Sequence, residues 1–225
     1  MQLVLMGLPG AGKGTQGELL SEQLDVPHIS TGAMFRAAIR SGGPLGAKAK
    51  EYIDRGELVP DDISIEIVKE RLRQDDCARG FILDGFPRTV PQAIALDRAL
   101  PELGKALDAA VNIEISEEEA VRRISERVIC SQCGATYNRA HHPELDGRCA
   151  ECGGPLVQRP DDTVETALHR LKVFMDQTHP VLTYYAEQGV LVSVDGERPI
   201  DQVFQDIVAQ LEKIREAQRR GEAAR

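Results

Sequence analysis

Residues 7–16 read GLPGAGKGTQ, in which Gly7, Gly12 and Lys13 fall at the spacing of a phosphate-cradling loop, G-x-x-x-x-G-K. Glycines let backbone N–H groups converge on phosphate oxygens, and a helix starting there adds the positive end of its dipole. Lys13 supplies a mobile point charge for transferring phosphates. The hydroxyl that ordinarily follows the lysine is displaced: Gly14 holds its place, and Thr15 comes one residue later. Such a loop need not hold Mg²⁺ in the ordinary manner.

A second group of reactive side chains is sulfur. Cys130 and Cys133 form one C-x-x-C pair, Cys149 and Cys152 another, with 15 residues between the pairs. This is the spacing of a four-thiolate zinc site. A tetrahedron filled by four sulfurs leaves no position for a catalytic water, so the metal expected here is structural. His141 and His142 are alternative ligands, but with four thiolates available a solvent-facing loop role is expected of them; two disulfides are a rival chemistry that a reducing compartment disfavours. Cys77 stands alone and reads as a packing or surface residue with no chemical role.

The remaining chemistry is charge. Asp84 ends an apolar run, where a carboxylate can order waters around Mg²⁺. Arg36 and Arg88 each adjoin turns containing Gly or Pro, and a guanidinium forks well onto phosphate. Arg123 and Arg127 are four apart on a predicted helix over 117–127, hence on one face. Arg159 precedes Asp161 and Asp162, and Arg170 lies on a helix predicted over 162–186. The two aspartates are expected to cap that helix or latch the segment before it. No Ser–His–Asp or Cys–His nucleophile arrangement is evident.

The elements that must position these groups alternate. LVLM (3–6), FILD (81–84), AVNIEI (110–115) and VLVSVD (190–195) read as strands. A helix beginning near Gly12, and others over 61–73, 91–100, 117–127, 162–186 and 200–217, separate them. Apolar strands alternating with helices predict an α/β fold, a mostly parallel sheet with helices on both faces. Residues 30–59 look helical without a strand, and 128–160 look like a small stapled insertion. The last residues read as a polar helix fraying into a tail.

Composition narrows the class. Net charge is −9, which opposes a broad nucleic-acid or anionic-membrane footprint. No apolar run approaches the roughly 20 residues of a membrane span. The start, MQLVLMG, has neither a basic leader nor a small-residue cleavage site, and a cytoplasmic protein is expected.

The loop resembles that of nucleoside monophosphate kinases, G-x-P-G-x-G-K-G-T, throughout. STGAMFR (30–36), ELVP (57–60) and DGFPRTVPQ (84–92) are similar to the monophosphate-binding elements of adenylate kinases, in order and spacing. Essentially the whole chain resembles the long-lid type of that family. The resemblance implies a P-loop NTPase-like core (1–29, 60–125 and 164–225), a helical NMP-binding insertion (30–59) and a zinc-binding lid (126–163). It implies donor-site roles for Gly10, Ala11, Gly12, Lys13, Gly14, Thr15, Arg123, Arg127, Thr136, Tyr137 and the backbone near Arg198. It assigns the acceptor pocket to Thr31, Arg36, the backbone of Glu57, Leu58 and Val59, then Gly85, Phe86, Pro87, Arg88 and Gln92, with Arg159 and Arg170 meeting the phosphates of both nucleotides. Lys13, Asp84 and Arg88, with Arg123, Arg127, Arg159 and Arg170, would form the catalytic set.

The implied reaction is MgATP + AMP ⇌ 2 ADP, with Mg²⁺ accompanying ATP, structural zinc in the lid, and a monomer with no nucleic-acid or membrane partner. The sequence departs from the family pattern at Ala33, where Asp is usual, at Glu126-Arg127-Val128, where Gly-Arg-Arg is common, and at His141-His142-Pro143, where Asn-Pro-Pro is frequent. These departures put rate, metal dependence and lid contacts in question. Three other readings stay open. One is a monophosphate kinase of another base specificity. Another is an ATPase gripping nucleic acid through its cysteine segment, against which zero Trp and the acidic balance weigh. The third is an inactive nucleotide-binding protein.

Overall fold

The computed structural model describes residues 1–140, 143–159 and 161–223. His141 and His142, the rival ligands, lie outside them. In chain order the elements are β1 (Gln2–Met6), α1 (Lys13–Leu24), β2 (His28–Ser30), α2 (Thr31–Ser41), α3 (Pro44–Ile53), α4 (Asp61–Leu72), β3 (Phe81–Asp84), α5 (Val90–Glu102), β4 (Ala109–Glu114) and α6 (Glu117–Ser125). There follow β5 (Arg127–Cys130), β6 (Thr136–Asn138), β7 (Leu156–Val157), α7 (Val164–Val173), α8 (His179–Glu187), β8 (Leu191–Asp195) and α9 (Ile200–Ala223).

The expected parallel sheet is present, with strand order β2-β3-β1-β4-β8 and every pairing parallel. Side chains alternate across a strand, so β1 sends Val4 and Met6 to one face and Leu3 and Leu5 to the other. On the first face they pack with Val68 and Leu72 of α4, Leu96 and Leu100 of α5, and Val181 and Tyr185 of α8. On the second they meet Leu20 of α1 and Val203, Ile207 and Leu211 of α9. Cys77 is buried in the first of these clusters, which selects packing over a surface position.

Several expectations require correction. Helix α6 stops at Ser125, and Arg127 opens a strand; it does not share a helical face with Arg123. The β-branched pair Val128–Ile129 and the pairing of Arg127 with Asn138 draw the chain into a sheet there. The helix expected over 162–186 is two helices joined by a π-helical turn, Phe174–Thr178. Its N-cap is Thr163, whose hydroxyl accepts from the Thr166 N–H at 3.2 Å, so neither Asp161 nor Asp162 caps it. Helix α9 runs to Ala223, beyond the expected 217. The three-residue β2 was not anticipated. Among the described residues no helix is long and apolar enough to cross a membrane.

Two small units stand on this core. α2 and α3, with the chain following them, enclose Phe35, Ala49 and Val59 in their own apolar cluster. The second is a three-stranded antiparallel sheet, order β6-β5-β7, carrying all four paired cysteines in or beside its strands.

Candidate active site

The phosphate loop links the C-terminal end of β1 to the N-terminus of α1. Gly12 takes φ 93° at the helix cap, a left-handed conformation that side chains resist. Gly7, at φ 131°, would push any Cβ into the Ile113 carbonyl. Lys13 Nζ donates to the carbonyls of Gly7 and Leu8, each at 2.8 Å, and so lies folded over the loop. Burial pushes its ammonium down to about 8, helped by Arg88, Arg170 and Arg127 and opposed by Asp84. The nearest atom to a Cβ built on Gly14 would be Asp84 Oδ2, at 3.9 Å. The displaced hydroxyl therefore leaves open space between the helix N-terminus and that carboxylate.

Asp84 ends β3, beside β1. Burial pushes its pKa up, but His28, Lys13 and Arg88 together hold it below the usual carboxylate range. His28 Nε2 lies 3.6 Å from Asp84 Oδ2. Gly85 follows at φ 77°, and a side chain there would crowd Thr31 Oγ1 and the Arg88 guanidinium, each 2.9 Å from its Cβ. Thr31 in turn donates to the Gly85 carbonyl at 2.8 Å, and Arg88 Nε to the same oxygen at 2.9 Å. The turn after β3 is thus braced, and it aims Arg88 inward. Burial and the neighbouring Arg170 push the Arg88 guanidinium down to about 10.

The opposite wall comes from α6, β5, β6 and α7. Glu119 accepts from Arg123 Nε at 2.6 Å and forks onto Arg122, contacts that hold its carboxyl down to about 2. Asp162, fully buried, receives Arg127 through two N–H groups and Arg170 through a third at 3.1 Å. Asp161 also accepts from Arg170, at 3.2 Å. The aspartate pair is thus a latch tying β5 to α7. Arg159 donates to Thr136 Oγ1 at 3.2 Å, while its buried Nε has no partner among the described residues. Burial and the charge of Arg127 push Arg159 down to about 9. A buried, unpaired guanidinium donor among other cations is a site prepared for an anion.

These walls enclose one cleft of about 1170 Å³. Every donor-site and acceptor-site residue expected from the sequence lines it, from Gly10 to Thr15, Thr31, Arg36, Glu57 to Val59, Asp84 to Arg88 and Gln92 through Arg123, Arg127, Thr136, Tyr137, Arg159, Arg170 and Arg198. Arg198 also holds Asp206 through its guanidinium.

The four cysteine sulfurs lie within 4.8 Å of one another, with Cys130–Cys152 at 3.4 Å and Cys133–Cys149 at 3.5 Å. That is too far for an S–S bond of about 2 Å and close to the edges of a tetrahedron with metal–sulfur bonds of about 2.3 Å. Tyr137 Oη lies 3.2 Å from Cys149 Sγ, and this hydrogen bond holds the thiol down to about 6, in the range where it serves as a thiolate ligand. The donor set fits a four-thiolate metal.

A model of the adenylate kinase family matches residues 5–190 of the chain. The chain belongs to the adenylate kinase family. An adenylate kinase of Carboxydothermus hydrogenoformans is 52% identical over 214 residues, covering 95% of this chain and all of that relative. One from Bacillus subtilis is 55% identical over 208 residues, covering 92% of this chain and 96% of the relative. An archaeal one, from Archaeoglobus fulgidus, is 52% identical over 216 residues, 96% of this chain and all of the relative.

Against that family frame the departures have structural places. Ala33 is exposed on the first turn of α2, its N–H reaching Ser30 Oγ at 3.4 Å. Val128 is buried and faces Tyr137 across the sheet, a position where a charge would be costly. Glu126 accepts from Arg122 at 2.8 Å and from Asn138 at 3.1 Å, bracing the β5–β6 pair against α6. Sequence reasoning missed Glu119, His28 and Asp61 as supports of the site. The four-residue spacing of Glu119 and Arg123 was a usable signal. His28 and Asp61 meet their partners only through the fold.

Proposed function

We propose that this member of the adenylate kinase family transfers the terminal phosphoryl group of MgATP to AMP, reversibly, giving two ADP. The observation that carries this reading is a single cleft joining the phosphate loop to the Thr31–Arg88–Gln92 wall, ringed by Lys13, Arg36, Arg88, Arg127, Arg159 and Arg170. Two nucleotides placed end to end would put their phosphates among these cations.

An AMP phosphate oxygen, already ionised near neutral pH, attacks the terminal phosphorus of ATP. The bond from that phosphorus to the bridging oxygen breaks, and ADP leaves. The attacking group carries no proton, so a general base would have nothing to remove. What remains is alignment and charge neutralisation. Lys13 and the loop N–H groups hold donor phosphates. Arg36 and Arg88 hold the acceptor phosphate, Arg123 and Arg127 meet the phosphates of ATP, and Arg159 and Arg170 meet charge shared between the two. Mg²⁺ bound with ATP would neutralise charge on the donor phosphates, and Asp84 would orient its waters. Thr136, Tyr137 and the backbone at Arg198 cover the donor base; Gln92 reads the acceptor base, with Thr31 and residues 57–59 around it.

Water could replace AMP and waste ATP. Residues 30–59 and 126–163 act as two flaps that close on the core (1–29, 60–125 and 164–225) and exclude it. Zinc on Cys130, Cys133, Cys149 and Cys152 stiffens the second flap and takes no part in the transfer. The catalytic test is ADP formation from ATP, AMP and Mg²⁺, with Lys13→Met as control. Loss of on the order of 10³ in kcat with an unchanged melting curve is expected. An active Lys13→Met protein, or wild-type protein that binds only one nucleotide per chain, would refute the reading.

A further inference from the structure

Gln92, the residue proposed to read the acceptor base, is almost fully buried, and its amide is held at both ends. Its Oε1 accepts from the Arg88 backbone N–H at 2.8 Å, and its Nε2 donates to Asp61 Oδ1 at 2.7 Å. Neither partner can change sign: a backbone N–H only donates, and an ionised carboxylate only accepts. Turning the amide over would set its oxygen against the carboxylate and its NH₂ against the N–H. Asp61 itself is fixed, because its other oxygen accepts from the Thr89 hydroxyl at 2.9 Å. One N–H and one lone pair of Gln92 remain, in a fixed left-to-right order, and Gln92 lines the cleft whereas Asp61 is not among its lining residues.

That order has a consequence for the base. Adenine presents a donor at its 6-amino group beside an acceptor at N1. Hypoxanthine presents the reverse, an acceptor at O6 beside a donor at N1, with almost the same outline. A freely turning amide could read either. We propose that Asp61 is a positioning and specificity-determining residue: by locking the Gln92 amide, it makes the acceptor pocket select a 6-aminopurine monophosphate over a 6-oxopurine one. This rests on the proposed AMP-binding role of Gln92. A merely structural Asp61, tying the start of α4 to the start of α5, would affect stability and leave the choice of base alone.

The test compares AMP and IMP as acceptors, at saturating MgATP, for wild type and Asp61→Asn. Asparagine keeps the volume and can still accept from Thr89, but its NH₂ can serve a turned-over amide. The ratio of kcat/KM for AMP to that for IMP is expected to fall about tenfold, the worth of one hydrogen bond of this kind. The change should lie in the acceptor KM, with the KM for ATP within about twofold of wild type. If Asp61→Asn is too unstable to assay, Asp61→Ser, which shortens the side chain away from both partners, gives the same reading. An unchanged AMP:IMP ratio, whatever the melting temperature, overturns the proposal. Wild-type protein that fails to use AMP at all would instead overturn the function on which it rests, so the two failures are told apart.

Discussion

In the five-stranded sheet Leu3, Val4, Ile82, Leu83 and Val111 are wholly buried, and helices cover both faces. In the three-stranded sheet the strands are four, three and two residues long, and the buried apolar side chain they contribute besides cysteine is Val128. Four sulfurs and the Asp162 contacts to Arg127 and Arg170 do there what Leu, Val and Ile do in the core. A segment too small to enclose its own apolar core must be tied by stronger, directional links. The difference suits the proposed work. A core that must hold the phosphate loop in register needs to be permanent, whereas a flap that opens on every turnover needs to be internally rigid yet weakly attached.

Separating the two kinds of stabilisation is the way to break this comparison. Leu100→Ala, in α5 and packed in the first core cluster, should lower global stability by about 2–5 kcal/mol through lost burial and the cavity left behind. The main thermal transition should move down as a whole, and amides of β1, β3 and β4 should exchange faster with it. Exchange that quickened only in α5 would mean the sheet core is not one cooperative unit.

Removing metal should act on the other side. Protein stripped with a chelator, then reloaded with Zn²⁺, is expected to show faster amide exchange across residues 127–157 without zinc and recovery with it. The melting temperature should fall by less than for Leu100→Ala, and single-turnover phosphoryl transfer should change less than stability does. Identical exchange and melting in the stripped and reloaded forms would sink the idea that the sulfur cluster stands in for a core.

The same division explains what the sequence made legible. Core strands announce themselves because both faces are buried, so LVLM and the FIL that leads into Asp84 are unbroken apolar runs. The site motifs were legible for a related reason: glycine, lysine and arginine at fixed spacing serve local geometry, as at Gly12 and Gly85. The strands β5 to β7 left no such run. There the helix-favouring stretch SEEEAVRRISER carried the predicted helix two residues too far, past Ser125 to Arg127. Links between distant segments are the least legible of all. Asp61 meets Gln92 across 31 residues and Arg127 meets Asp162 across 35, and no local pattern marks either pair.

The smallest effect tests how charge is divided between the two regions. Most of the cleft cations are arginines, but the core contributes Lys13, held at about 8 by burial and by Arg88, Arg170 and Arg127, against the pull of Asp84. Bound polyphosphate would give the ammonium an anionic partner and raise its pKa toward or beyond the ordinary 10.5. Below about 8 Lys13 is protonated in both free and bound protein, so no proton moves. Between about 8 and 10.5 the free protein has lost the proton that the complex retains, so binding takes up a proton and affinity falls as pH rises. Calorimetric titration of MgATP in buffers of different ionisation enthalpy at pH 9 should therefore show uptake of up to about one proton, falling toward zero at pH 7 and absent in Lys13→Met. Uptake that survives in Lys13→Met would move the titrating charge elsewhere in the cleft and make Lys13 an ordinary, permanently charged anchor.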